Sequence, residues 1–167
     1  MYLLDSNVFI EAHRRYYGID FVPGFWDWLH MSNGSGLLAS IDKIRQELED
    51  GTYGDELKTW VRGHKDLFLP IDSVVQGSFQ KLSAWTMDQS HGYTSAAKRT
   101  FMGSGDYQLV AYAHAHGHTV ATHEQARPDA KKVIKIPDAC RALGVECVDP
   151  FKMLRDEQAR FVLNGAP

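Results

Sequence analysis

Short apolar runs alternate along this chain with longer segments whose apolar residues recur at helical spacing, and that alternation limits the fold more than any other feature. "YLL" runs directly into "NVFIEAHRRYY", where Val8, Phe9, Ala12 and Tyr16 fall near one helix face. "FVPGFWDWLHMSNGSG" predicts a helix around Trp26 to Met31 that stops in the breaker cluster Ser32 to Gly36, and "LLAS" then reads as a second strand. Ser40, a favoured N-cap residue, opens a helix marked by Ile41, Ile44 and Leu48 that ends near Gly51. "DELKTWVRGH" is a shorter helix, and "DLFLPI" is a strand closed by Pro70. "SVVQGSFQKLSAWTMDQ" and "TSAAKRTFM" predict two more helices.

The second half repeats the pattern. "GSGDYQLVAYAHAHG" is a glycine-rich approach to Asp106 followed by a helix through Leu109, Val110 and Ala113 that ends at Gly117. "HTVATHE" is the next strand, and "KVIKIP", "DACRALG", "VECVDP" and the amphipathic "FKMLRDEQARFVL" complete the alternation. Strands separated by helices require crossover connections, so the expected class is α/β, with a largely parallel sheet covered on both faces. Ligands in such open sheets bind outside the carboxyl ends of the strands. The residues just after each strand are therefore the ones that matter.

A chain of 167 residues, 44% hydrophobic, suits a single domain over 1–167 that buries a core without staples. Cys140 and Cys147 lack CxxC or Cys/His spacing, which argues against a disulfide framework or structural zinc and for a reducing, cytoplasmic setting. The opening has no basic region ahead of a long apolar stretch, as a signal peptide would need. No segment approaches the roughly 18 apolar residues of a membrane span. A net charge of −3 shows no overall basic footprint for nucleic acid. It leaves room for a local one, because Lys98, Arg99, Arg127, Lys131, Lys132 and Lys135 could share a surface while several carboxylates lower the sum.

Those carboxylates fall at strand ends. Asp5 follows "YLL" and Glu124 follows "HTVATH", so both would emerge at the same edge of the sheet. Glu47 lies on the helix after "LLAS", and Asp106 begins the helix after "GSG". Each has a plain structural role available: Asp106 as a helix cap, Glu47 as part of a solvated acidic face, Asp5 as a partner for backbone amides. Glu124 could be an inert loop residue.

Taken together the four positions resemble the acidic quartet of PIN-domain proteins, the metal-dependent nucleases that include the VapC-like toxins. "LLDSNVFI" resembles that family's opening strand with its Asp-Ser/Thr-Asn, "IDKIRQEL" its second acidic position, and "GDYQLVAYAHAHG" its acid followed by a helix. "TVATHE" stands where the strand to the last acid would be. The whole is most similar to a less characterised PIN-like subgroup, longer than the compact toxins. The resemblance implies a three-layer α/β/α fold with a central, mostly parallel, twisted sheet. It implies a metal and catalytic set of Asp5, Glu47, Asp106 and Glu124, with Asn7 and Thr122 as polar support beside the substrate. The departure is at the fourth position, where many members carry an Asp in a Thr-x-Asp-type motif and this chain has Thr122-His123-Glu124; Asp129 or Asp138 is an alternative fourth acid.

The activity implied is hydrolysis of RNA phosphodiesters with Mg²⁺ or Mn²⁺, with Lys131 and Lys132 as candidate substrate contacts. Hard divalent ions prefer oxygen donors, and crowded carboxylates repel unless a cation offsets them. RNA, a cognate antitoxin and a second copy of the chain are the partners implied by analogy. A catalytically silent PIN-like scaffold and a phosphohydrolase of small esters are the competing readings. Among other signals, His114, His116 and His118 in "HAHGH" suit a helix C-terminus better than a metal. His123, beside Glu124, could touch a substrate, but a plain surface role suits it better. Trp26, Trp28, Trp60 and Trp85 could stack on bases but lie in helical apolar patterns, as core residues do. Ser6 lacks a nucleophile elbow.

Overall fold

The computed structural model describes residues 1–162. Five strands, β1 (Tyr2–Leu4), β2 (Leu38–Ile41), β3 (Phe68–Leu69), β4 (Thr119–Ala121) and β5 (Cys147–Val148), form one sheet in the order β3-β2-β1-β4-β5. Every neighbouring pair is parallel, with Tyr2 level with Leu38 on one side and with Thr119 on the other. The first strand is thus the central one.

Eight α-helices connect the described strands, α1 (Ser6–Glu11), α2 (Pro23–Gly34), α3 (Asp42–Asp50), α4 (Asp55–Gly63), α5 (Gln76–Met87), α6 (Ser95–Met102), α7 (Gly105–His116) and α8 (Ile136–Leu143), and α9 (Pro150–Asp156) follows β5. Winding runs outward from β1 to β3, then returns across the sheet to β4. Right-handed crossovers therefore place α1–α4 on one face and α5–α8 on the other. Contacts agree: α3 packs on α1 and α4 in one layer, and α7 packs on α5, α6 and α8 in the other. The class is α/β, three layers deep.

Helix α7 is apolar almost all round, with Leu109, Val110, Ala111 and Ala113 fully buried. Such a helix has to sit inside, and α7 lies against β2 and β4 with neighbours on its other sides. It stops at Gly117, whose φ of 67° lets the His118 amide turn back to the Ala113 carbonyl. The expected core role of the tryptophans holds for Trp26, which is buried and donates to the Tyr17 carbonyl at 2.6 Å. Both cysteines are free thiols. Among the described residues, no helix is long and apolar enough to cross a membrane.

Local expectations fail in four places. Ser40 does not cap α3: it lies within β2, and its hydroxyl donates to the Leu4 carbonyl of the neighbouring strand at 2.7 Å. Asp106 does not cap α7 either, because Ser104 is the N-cap, its hydroxyl facing the Tyr107 amide. "KVIKIP" forms no strand, since Ile136 and Pro137 already belong to the first turn of α8, a position that tolerates proline. The last helix ends at Asp156, short of the "FKMLRDEQARFVL" expectation, where Gln158 takes a positive φ of 53°; Leu163 of that stretch lies outside the described residues. One feature had no sequence signal, a π-helical turn at Ala12–Tyr16 that extends α1.

Candidate acidic site at the carboxyl edge of the sheet

Parallel β1 and β4 end side by side, so the residues after them meet. The Asp5 amide donates to the Ala121 carbonyl at 3.1 Å, carrying the ladder one step beyond the strands. Thr122 then stands beside Asp5 and spends its whole hydrogen-bonding capacity there. Its hydroxyl donates to Oδ2 of Asp5 at 2.8 Å and accepts from Asn7 Nδ2 at 3.1 Å and from the Glu124 amide at 3.0 Å. Asn7 in turn accepts the His123 amide on Oδ1 at 3.1 Å. Ser6 donates to Oδ1 of Asp5 at 3.3 Å. Asp5 occupies the N-cap position of α1, yet its side chain makes no cap hydrogen bond.

The two helix layers touch at the same edge, where α3 reaches α7. Glu47 on α3 accepts the Gly105 amide at 2.7 Å through Oε1, so it is pinned rather than solvated. This contact needs glycine. A Cβ at position 105 would come within 2.6 Å of Ile44 Cδ1 and 2.8 Å of Glu47 Oε2. The next residue, Asp106, projects from the first turn of α7 into a cavity of about 170 Å³ that Glu124, Ser104 and Lys132 also line.

Electrostatics report the crowding. Burial first, then the charges of Asp5, Glu124 and Glu47, push the Asp106 carboxyl up to about 8, while the Lys135 ammonium pulls against them. Asp5 is raised to about 6, again first by burial, with the Thr122 hydrogen bond opposing and Glu124 adding to the rise. Charges from three other stretches thus bear on Asp106, a repulsion that costs free energy with no cation present.

Glu124 is held differently. Its Oε1 is paired with the Lys135 ammonium and its Oε2 accepts the Ile136 amide at 2.8 Å, at the start of α8. The alternative fourth acids stand elsewhere. Asp129 is exposed, and Asp138 faces another cavity while accepting the Arg127 amide at 2.9 Å. Of the candidate substrate lysines, Lys132 lines the acidic cavity, whereas Lys131 is turned toward the Pro128 carbonyl and the Tyr93 ring. His123, beside the site, is packed between the rings of Tyr16 and Phe151 at 5.8 and 5.5 Å. Sequence reasoning gave Lys135 only a place on a basic surface, missing its pairing with Glu124, and missed Gly105. Lys135 carried no spacing signal, and the glycine's role follows only from the approach of α3.

An oxygen-only donor set with mutual repulsion suits a hard divalent ion. Asp5, Asp106 and Glu47 have no cation partner of their own among the described residues, whereas Glu124 is paired with Lys135. Among the described residues, no three His, Cys, Asp or Glu side chains stand close enough to hold an ion in their present positions.

The fold and its edge define an α/β domain with a doubly wound parallel sheet and an acidic cavity beyond β1 and β4. Residues 2–161 match the family described as Domain of unknown function (DUF4411), and the chain belongs to that family. No curated protein and no solved structure matches it.

Proposed function

We propose that this chain is a Mg²⁺- or Mn²⁺-dependent endoribonuclease of the PIN-like kind. The observation that carries the reading is the cavity shared by Asp106 and Glu124, with Asp5 and Glu47 near enough for their charges to raise the half-buried Asp106 carboxyl, at the strand ends where α/β sheets bind ligands. Asp5 and Asp106 would hold the ion, with Glu47 completing its shell. A divalent ion there would neutralise charge on phosphoryl oxygens and acidify a bound water.

The chain's own groups have distinct tasks. Thr122 and Ser6 fix the orientation of Asp5, and the Gly105 amide fixes that of Glu47. Lys135 neutralises Glu124 in place, so the site presents ion-binding capacity for one cation rather than two. Lys132 at the cavity wall favours a phosphate backbone over neutral substrates. The free thiols fit a reducing, cytoplasmic setting, and the likeness to toxins adds the expectation of a cognate antitoxin and of pairing with a second copy.

The test is incubation of the purified chain with RNA, DNA and a generic phosphate ester in Mn²⁺, beside Asp106→Asn. Cleavage of RNA alone, lost in the variant, is the expected result; turnover of the ester alone would make it a small-substrate phosphohydrolase. One observation favours a second reading, a catalytically silent binding scaffold: the clasping of Glu124 by Lys135. RNA binding without cleavage at saturating Mn²⁺ would select it.

A further inference from the structure

A second cavity, of about 350 Å³, lies between the end of α5, the loop that follows it, and α8. The chain at residues 131–134 separates it from the acidic cavity, with Lys131 on one side and Lys132 on the other. Three rings line it: Trp85 stands 5.8 Å from Tyr93 and 5.4 Å from His91. Lys131 sits 5.6 Å above Tyr93, leaving an ammonium at the rim.

Asp138 belongs to the same wall and is 7% exposed. Its Oδ2 accepts the Arg127 amide, but Oδ1 has no hydrogen-bond partner among the described residues. The nearest cation, Arg141, stops 3.9 Å short of Oδ1 with a side chain 67% exposed and free to swing. A buried carboxylate oxygen left without a donor is costly, and it calls for one.

We propose that this cavity binds a guanine nucleotide. Oδ1 of Asp138 is covered as it stands, and with Arg141 swung aside it accepts from the N1–H and N2–H₂ donors of the base, while Arg141 reaches the O6 and N7 acceptors on the neighbouring edge. The rings of Trp85, His91 and Tyr93 supply stacking surface, and Lys131 meets the phosphate. Adenine reverses both polar matches, setting its N1 acceptor toward the carboxylate and its N6 donor toward the guanidinium.

The experiment is calorimetric titration of the full chain in EDTA with 5′-GMP, 5′-AMP and inorganic phosphate. The expected result is saturable GMP binding about tenfold or more tighter than AMP, with phosphate weaker than either. Asp138→Asn keeps a carbonyl oxygen for the Arg127 amide and puts a donor where Oδ1 was, so GMP should weaken by about tenfold and the preference over AMP disappear. Because Asp138 is buried, Arg141→Gln on the surface is the second variant, expected to lose the same preference at an unchanged melting temperature. Equal binding of GMP and AMP by wild type, GMP no tighter than phosphate, or no binding at all would overturn the proposal. Asp106→Asn should bind GMP as wild type does, so this test and the ribonuclease test fail independently.

Discussion

Thr122 gives its only hydroxyl proton to Asp5, across 117 positions of sequence. That bond joins the ends of β1 and β4 and is the main influence holding the Asp5 carboxyl down against burial. Thr122→Val keeps shape and removes the hydroxyl, leaving Asn7 and the Glu124 amide each short of an acceptor. We expect a loss of about 1–3 kcal/mol in urea unfolding and a further rise of the Asp5 pKa. Unchanged stability would mean that these groups repartner elsewhere.

Metal-free stability should fall as pH rises. Asp5 and Asp106 titrate near 6 and 8 in the folded chain, against about 3.9 when unfolded. Between about pH 4 and pH 8 the folded state therefore holds more protons, and its advantage is lost as they leave. Asp106→Asn removes one such group. Melting curves in EDTA should show the variant gaining on wild type from about pH 5 to about pH 8; a constant difference across that range would contradict the raised pKa.

Added Mn²⁺ should act against the same repulsion. Wild type should gain melting temperature on adding saturating Mn²⁺, more at about pH 8 than at about pH 5.5, where protons compete for the oxygens. Titration calorimetry should find one ion per chain, because Glu124 is already neutralised by Lys135. Two equivalent ions would show that Lys135 releases Glu124.

Gly105→Ala tests the contact between layers. Its Cβ would meet the fully buried Ile44 side chain and the Glu47 carboxylate, so one or both must shift. Overpacking of this kind costs about 1–3 kcal/mol. RNA cleavage should fall by more than the stability loss alone accounts for, since Glu47 is displaced. Glu47→Gln is the complement: the amide oxygen still accepts from Gly105, so stability should hold while cleavage drops.

Much of this architecture could be read from periodicity. The apolar runs at Tyr2–Leu4, Leu38–Ile41 and Thr119–Ala121 are strands because buried parallel strands are apolar on both faces. Where sequence reading failed, a distant partner had overruled a local preference. Ser40 is a good cap, but the Leu4 carbonyl claims its hydroxyl. Val133, Ile134 and Ile136 have strand character, yet Glu124 takes the Ile136 amide into a helix start. Asp5, Glu47, Asp106 and Glu124 stood out as residue types after strands, whereas the lysine that clasps Glu124 and the free oxygen of Asp138 are visible only in three dimensions.

The strand made first is the one at the middle of the sheet, flanked by β2 and by a β4 that begins at Thr119. A growing polypeptide emerging from the ribosome can wind its early helices, but one side of β1 has no lateral neighbour until β4 has followed. The acids of the cavity are then scattered on an unfinished chain. Synthesis order by itself thus keeps these carboxylates apart until the return crossover closes.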